Sequence, residues 1–141
     1  MKRFETKIQV DWSEVDYMRH VNNLAILRYI QTARVRWCEQ MEMMPYQTED
    51  GSGPILASVS CEYRMPLFYP DEALVQTVLE KTGNTSLTPS HRVLNGKGEL
   101  AAEARDVLVC FDYASGKKKV ISRELRGRFL TEGEGASRDE K

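Results

Sequence analysis

The stretch WSEVDYMRHVNN, residues 12–23, holds two carboxylates, an arginine, a histidine and a tandem Asn-Asn directly ahead of a long apolar-periodic run. Asp16 stands six residues before Asn22, and Asn is among the best helix N-caps. A carboxylate beside a helix N-terminus combines two things that attack on a carbonyl carbon requires. It is a base or nucleophile, and the unpaired first-turn N–H groups carry about half a positive charge that can stabilise a developing oxyanion. On residues alone, the competing role of Asp16 is to cap a turn or to complement the helix dipole. Asn22 caps the helix under either role and thereby fixes the direction of those N–H groups, while Asn23 is placed to bond Asp16 or water. His20, four residues from Asp16, has the spacing of an acid/base pair, but a half-buried histidine bracing the loop is preferred.

The remaining reactive types offer less. His91 has no partner visible in the sequence and is assigned a structural or surface role; Asp11 and Glu14 are expected to be solvated. Cys38, Cys61 and Cys110 each lie in an apolar element with no adjacent basic residue to lower the thiol pKa, so they read as core. Lys117, Lys118, Lys119 and Arg123, followed by Arg126 and Arg128, form the one local basic concentration: either a solvated turn and terminus or a grip for phosphate groups.

The elements that must hold these residues follow from periodicity. Phe4, Ile8, Val10 and Trp12 fall at even positions among polar neighbours, which predicts a half-buried first strand from Phe4 to Trp12. From Asn22 to about Met43, Leu24, Leu27, Ile30, Ala33, Trp37 and Met41 recur at steps of three and four, predicting one long helix. Pro45 and TEDGSGP end it. ILASVSCEY, ALVQTVLEKT, residues 86–94, LAAEARDVLVCFDY and a short segment after ASGKKKV then read as antiparallel strands, with an edge or a bulge expected at Pro89, which cannot donate to a ladder. SRELRGRFL suggests a last helical turn, and residues 132–141 have too little to bury and are expected to be disordered. One helix with a wide apolar face beside one meandering sheet predicts an α+β fold in which a curved antiparallel sheet of five to six strands wraps the helix: a single hot-dog domain over residues 1–131. Such a domain leaves a sheet edge uncovered, so self-association is expected.

Asp16, RHVNN at residues 19–23, Tyr29, and Ala-Arg at Ala33 and Arg34 resemble the pattern of the 4-hydroxybenzoyl-CoA thioesterase-like family of acyl-CoA thioesterases. YRMPLFYPDE and VLVCFDYASGK extend the likeness over most of the chain. The resemblance implies a hot-dog dimer or tetramer that hydrolyses acyl-coenzyme A, with Asp16 as catalytic carboxylate and first-turn amides near Asn23 and Leu24 polarising the carbonyl. No metal or cofactor is called for. Arg19, His20 and Asn22 would position substrate or loop, and Lys117, Lys118, Lys119 and Arg123 would meet coenzyme A phosphates. Met41, Met43 and Met44 would line an acyl tunnel or pack the core. Arg19 stands where the family has glycine, adding a bulky cation, and Ile26 stands where a tyrosine commonly points toward the site. Two alternatives are a non-catalytic acyl-thioester binding module, in which Arg19 pairs with and quenches Asp16, and an enoyl-thioester hydratase.

Composition excludes other classes. With 20 Lys+Arg against 21 Asp+Glu there is no global field to draw nucleic acid or an anionic membrane, and no apolar run approaches the roughly 20 residues of a spanning helix. Three cysteines without C-x-x-C spacing argue against a disulfide framework or zinc site and suit a reducing cytoplasm.

Overall fold

The computed structural model describes residues 3–134. Its elements are β1 (Phe4–Gln9), a short 3₁₀ turn (Trp12–Glu14), α1 (Asn23–Gln40), β2 (Gly53–Tyr63), β3 (Glu72–Thr82), β4 (Ser86–Leu94), β5 (Leu100–Asp112), β6 (Lys117–Lys118) and α2 (Arg123–Glu134). The six strands form one antiparallel sheet in the order β1-β3-β4-β5-β2, with β6 paired to the end of β5. The inner face of the sheet packs on α1, giving the expected hot-dog arrangement, and β2 is an edge strand.

The apolar core is in two parts. One gathers Val10, Val21, Ile26, Tyr29, Ile30, Leu67, Val75 and Val93 around the first half of α1. The other gathers Trp37, Cys38, Met41, Leu79, Leu87, Leu108, Ile121, Leu125 and Phe129 around its second half, with Trp37 and Phe129 stacked at 6.1 Å. Between them lies a polar layer. Arg34 donates two hydrogen bonds to Asp106, at 2.8 and 3.0 Å; His91 Nε2 lies 2.6 Å from the same carboxylate, and its Nδ1 lies 2.8 Å from the Thr77 hydroxyl. Asp106, His91 and Thr77 are fully buried on three adjacent strands. Burial pushes the Asp106 carboxyl up, but the hydrogen bonds and charges of His91 and Arg34 outweigh it and hold the group below its ordinary range. His91 is thus structural and not at the surface.

Several boundaries differ from the sequence pattern, each for a local reason. β1 stops at Gln9 because Asp11 and Glu14 close a capping box around the 3₁₀ turn, which leaves Trp12 exposed instead of facing the core. α1 stops at Gln40, with Met41 as C-cap. Glu42 takes a left-handed conformation (φ 57), and Met43 N–H bonds the Cys38 carbonyl in the manner of a Schellman ending. Pro89 lies in a central strand, not at an edge, and its partner β3 carries a bulge between Leu79 and Lys81, so the bulge alternative holds. Met41 and Met43 are buried in the second core part. α2 is a twelve-residue helix instead of one turn and runs through residues 132–134; residues 135–141, for which disorder is expected, lie outside the described residues.

Candidate functional site

Asp16 sits at the mouth of a tight loop. Val15 and Val21 form an antiparallel bridge, Asp16 N–H donates to the His20 carbonyl at 2.9 Å, and Arg19 N–H donates to the Asp16 carbonyl at 2.9 Å. The turn needs a left-handed residue at position 19, and Arg19 adopts φ 70. This explains the glycine of the related pattern as a backbone requirement. Arg19 is exposed, and among the described residues no ion pair joins its guanidinium to Asp16.

The Asp16 carboxylate divides its two oxygens. Oδ1 accepts from Met18 N–H at 2.9 Å and from His20 N–H at 3.4 Å, so the turn reading of Asp16 is correct as far as this oxygen goes. Oδ2 takes no hydrogen bond among the described residues, and the side chain is exposed. The loop is seated against the segment after β2: Val21 N–H bonds the Leu67 carbonyl at 2.8 Å, and the His20 ring meets Phe68 edge-on at 5.3 Å. His20 therefore braces the loop.

Asn22 is the N-cap of α1. Its Oδ1 accepts from Ala25 N–H at 2.8 Å, while the N–H groups of Asn23 and Leu24 in the first turn have no intrahelical acceptor. Only Val21 separates the cap from His20, whose carbonyl accepts from Asp16 N–H, so the free carboxylate oxygen and the free amides lie at one end of the helix. The exposed side chains of Met18, Leu24, Tyr63 and Phe68 surround this end, and the Tyr63 hydroxyl donates to the Asn23 carbonyl at 3.4 Å. Ile26 faces the core instead, 4% exposed.

Glu14 is a correction. It is not solvated: its side chain is 14% exposed and accepts from Asp11 N–H at 2.9 Å and from the Tyr29 hydroxyl at 2.5 Å, with Arg28 at 3.6 Å. Its carbonyl takes both donors of Asn22, the backbone N–H at 2.9 Å and Nδ2 at 3.0 Å. Burial, followed by the hydrogen bond to Glu14, pushes the Tyr29 phenol well above its ordinary range. Asp11 is exposed, as expected.

The basic concentration is not brought to Asp16 within one chain. Lys117 and Lys118 pair with Phe111 and Asp112 at the far end of β5, whereas Arg64 and Met65, just before the segment holding the Asp16 loop, bond Ala101 at its near end. The two ends of that thirteen-residue strand are roughly 40 Å apart. Lys119 is tied to Asp50 and to Ser52 Oγ at 3.3 Å, and its hydrogen bond holds the Asp50 carboxyl far below the usual range. Arg123 opens α2 and is exposed; Arg126 donates to the Gly83 carbonyl at 2.7 Å. Among the described residues no three His, Cys, Asp or Glu side chains gather as a metal-binding group.

A sequence model of the thioesterase-like superfamily matches residues 10–129, which spans the Asp16 loop, α1 and every strand after β1. The chain belongs to this family. Among curated relatives, the long-chain acyl-CoA thioesterase FadM of Escherichia coli K12 is 24% identical over 126 residues, covering 89% of this chain and 96% of that protein. A thioesterase of Thermus thermophilus, solved with coenzyme A and zinc, is 28% identical with a TM-score of 0.76, covering 89% of this chain and 95% of the other. A DHNA-CoA thioesterase from Staphylococcus aureus shares the fold at a TM-score of 0.81 and 19% identity, covering all of this chain and 97% of the other.

Proposed function

We propose that this thioesterase-family protein hydrolyses acyl-coenzyme A thioesters at Asp16. The observation that carries the proposal is the division of labour within one carboxylate: Oδ1 is engaged by the turn amides of Met18 and His20, while Oδ2 is free at the helix end that presents the Asn23 and Leu24 amides. With the thioester carbonyl oxygen on those amides, its carbon faces Oδ2. Asp16 then either attacks it as nucleophile, expelling the coenzyme A thiolate and leaving a mixed anhydride that water hydrolyses to the free acid, or takes a proton from a water that attacks the carbon and expels the thiolate directly. The acyl group lies along Met18, Leu24, Tyr63 and Phe68, a lining that suits the long-chain substrate for which the Escherichia coli relative is named.

The working unit on this proposal is a homo-oligomer. β2 is an unpaired edge whose Leu56, Val59 and Tyr63 are 41–46% exposed, and a second copy pairing there covers them. Antiparallel edge pairing sets the Gly53 end of one β2 against the Tyr63 end of the other. Lys117, Lys118, Lys119 and Arg123 of a second copy thereby approach the Asp16 site that they cannot reach in their own chain, where they meet the coenzyme A phosphates. Three free cysteines fit a reducing cytoplasm.

The test is thiol release from a panel of acyl-CoAs of graded chain length. Release by the wild type, reduced at least about a hundredfold in Asp16→Asn without loss of fold, is expected. Near-native turnover in Asp16→Asn would refute the assignment. Binding without release would favour a binding module, and hydration of an enoyl-CoA a hydratase.

A further inference from the structure

We infer that Glu14 is a positioning residue that sets Asp16 against the first turn of α1; the inference rests on the role given to Asp16 above. Residues 16–20 leave the body of the protein as an excursion whose ends, Val15 and Val21, are bridged to each other. On its outgoing side, the excursion is connected to the helix through Glu14. The Glu14 carbonyl receives both donors of Asn22, the residue whose own Oδ1 caps α1, so the strand leading to Asp16 and the cap share one acceptor. The Glu14 carboxylate reaches in the other direction, to Tyr29, two turns into the helix, and back to Asp11 N–H at the start of the 3₁₀ turn. One residue thus ties three points together: the entry to the loop, the cap and the helix body. Asp16 is two residues from this clamp, too short a lever to tilt independently of it.

A capping box alone would not need this arrangement. The Asp11 N–H bond closes the box, yet the carboxylate is also buried against a phenol that has no role in that turn and that donates to it at 2.5 Å. Burial of Tyr29 in the first core part makes the far end of the clamp rigid, because the ring is fixed by packing. The consequence is geometric. If the clamp loosens, Asp16 and the amides of Asn23 and Leu24 remain present, but their separation is no longer fixed, and misplacement by about 1 Å can lower a rate by about two orders of magnitude.

The variants that separate this from a purely structural role are Glu14→Ala, Glu14→Gln and Tyr29→Phe, measured in the full chain with the best acyl-CoA of the panel. Glu14→Gln keeps an oxygen for the same two donors, whereas Glu14→Ala keeps none. Glu14→Ala should lower kcat about 10- to 100-fold with KM changed less than about threefold, and Glu14→Gln should recover kcat to within about threefold of wild type. Tyr29→Phe, which preserves packing and should fold where Glu14→Ala does not, should lower kcat by about three- to tenfold, non-additively with the Glu14 change. Amide hydrogen exchange at Met18 and His20 should speed up at least about tenfold in Glu14→Ala and stay near wild type in Glu14→Gln. Unchanged kcat in Glu14→Ala and Tyr29→Phe, or unchanged exchange at the loop amides, would overturn the inference. So would a Glu14→Gln variant as slow as the alanine. A wild type that releases thiol from no acyl-CoA overturns the Asp16 reading itself, a result distinct from any of these.

Discussion

Replacing Arg34 by Met removes a buried cation while keeping a long apolar side chain, and the outcome follows from what it leaves behind. Asp106 is 0% exposed, and Arg34 supplies two of its charge-assisted hydrogen bonds, at 2.8 and 3.0 Å. His91 remains as the third partner at 2.6 Å. Stranding one member of a buried ion pair typically costs about 3–5 kcal/mol, and the surviving histidine contact places this case near the lower end, about 3 kcal/mol at pH 7. For a domain of this size that corresponds to a fall in Tm of roughly 10 °C. The loss should depend on pH in one direction. The folded-state pKa of Asp106 is held below its unfolded value, so its ionised contacts contribute stability above about pH 4 and lose it as pH falls through the folded-state value. The gap between wild type and Arg34→Met should therefore narrow on acidification, since a protonated Asp106 no longer needs the guanidinium. Urea unfolding of both proteins at equal concentration, from pH 7 down to the acid limit of folding, measures this. A loss under about 1 kcal/mol at pH 7, or a gap that widens toward acid, would refute the account of Arg34 and Asp106 as the stabilising pair.

Arg19→Gly removes a left-handed non-glycine residue and should raise stability by about 0.5–1 kcal/mol; with the guanidinium turned to solvent, it should raise KM without changing kcat, and thermal unfolding together with steady-state kinetics reads both. Asn22→Ala loses the cap bond to Ala25 and the Nδ2 bond to Glu14, and should cost about 1–2 kcal/mol in denaturant unfolding. Burial pushes the Cys38 thiol up to about 12, so alkylation at pH 8 followed by mass spectrometry should label half-buried Cys61 first and leave Cys38 untouched in the native protein.

The parts of this architecture that are legible in the sequence are those carried by local rules. Asn22 announces the helix start because an Asn side chain can satisfy a first-turn amide wherever it stands, and that bond is present. The helix end is not legible, because Glu42 takes the left-handed position where glycine would have been the signal. Glu14 reads as solvated because its phenolic partner is fifteen residues away and on a different element. The polar layer could have been found. Thr77 falls between Val75 and Leu79, His91 between Pro89 and Val93, and Asp106 between Ala104 and Leu108, so three polar residues occupy inward parity on three neighbouring strands. Arg34 stands out only as part of a pattern, since nothing near it in sequence identifies Asp106, 72 residues on, as its partner.

The polar layer also gives the molecule a compartmented interior. Each element that crosses it changes allegiance at that level: β3 between Val75 and Leu79, β5 between Ala104 and Leu108, α1 between Ile30 and Trp37. Side chains on opposite sides of such a partition share few neighbours, and substitutions without shared partners act independently. Mutational drift in the part of the core packed against α2 can then proceed without being transmitted to the part under the Asp16 loop, so one end of the interior can be repacked while the other keeps its shape.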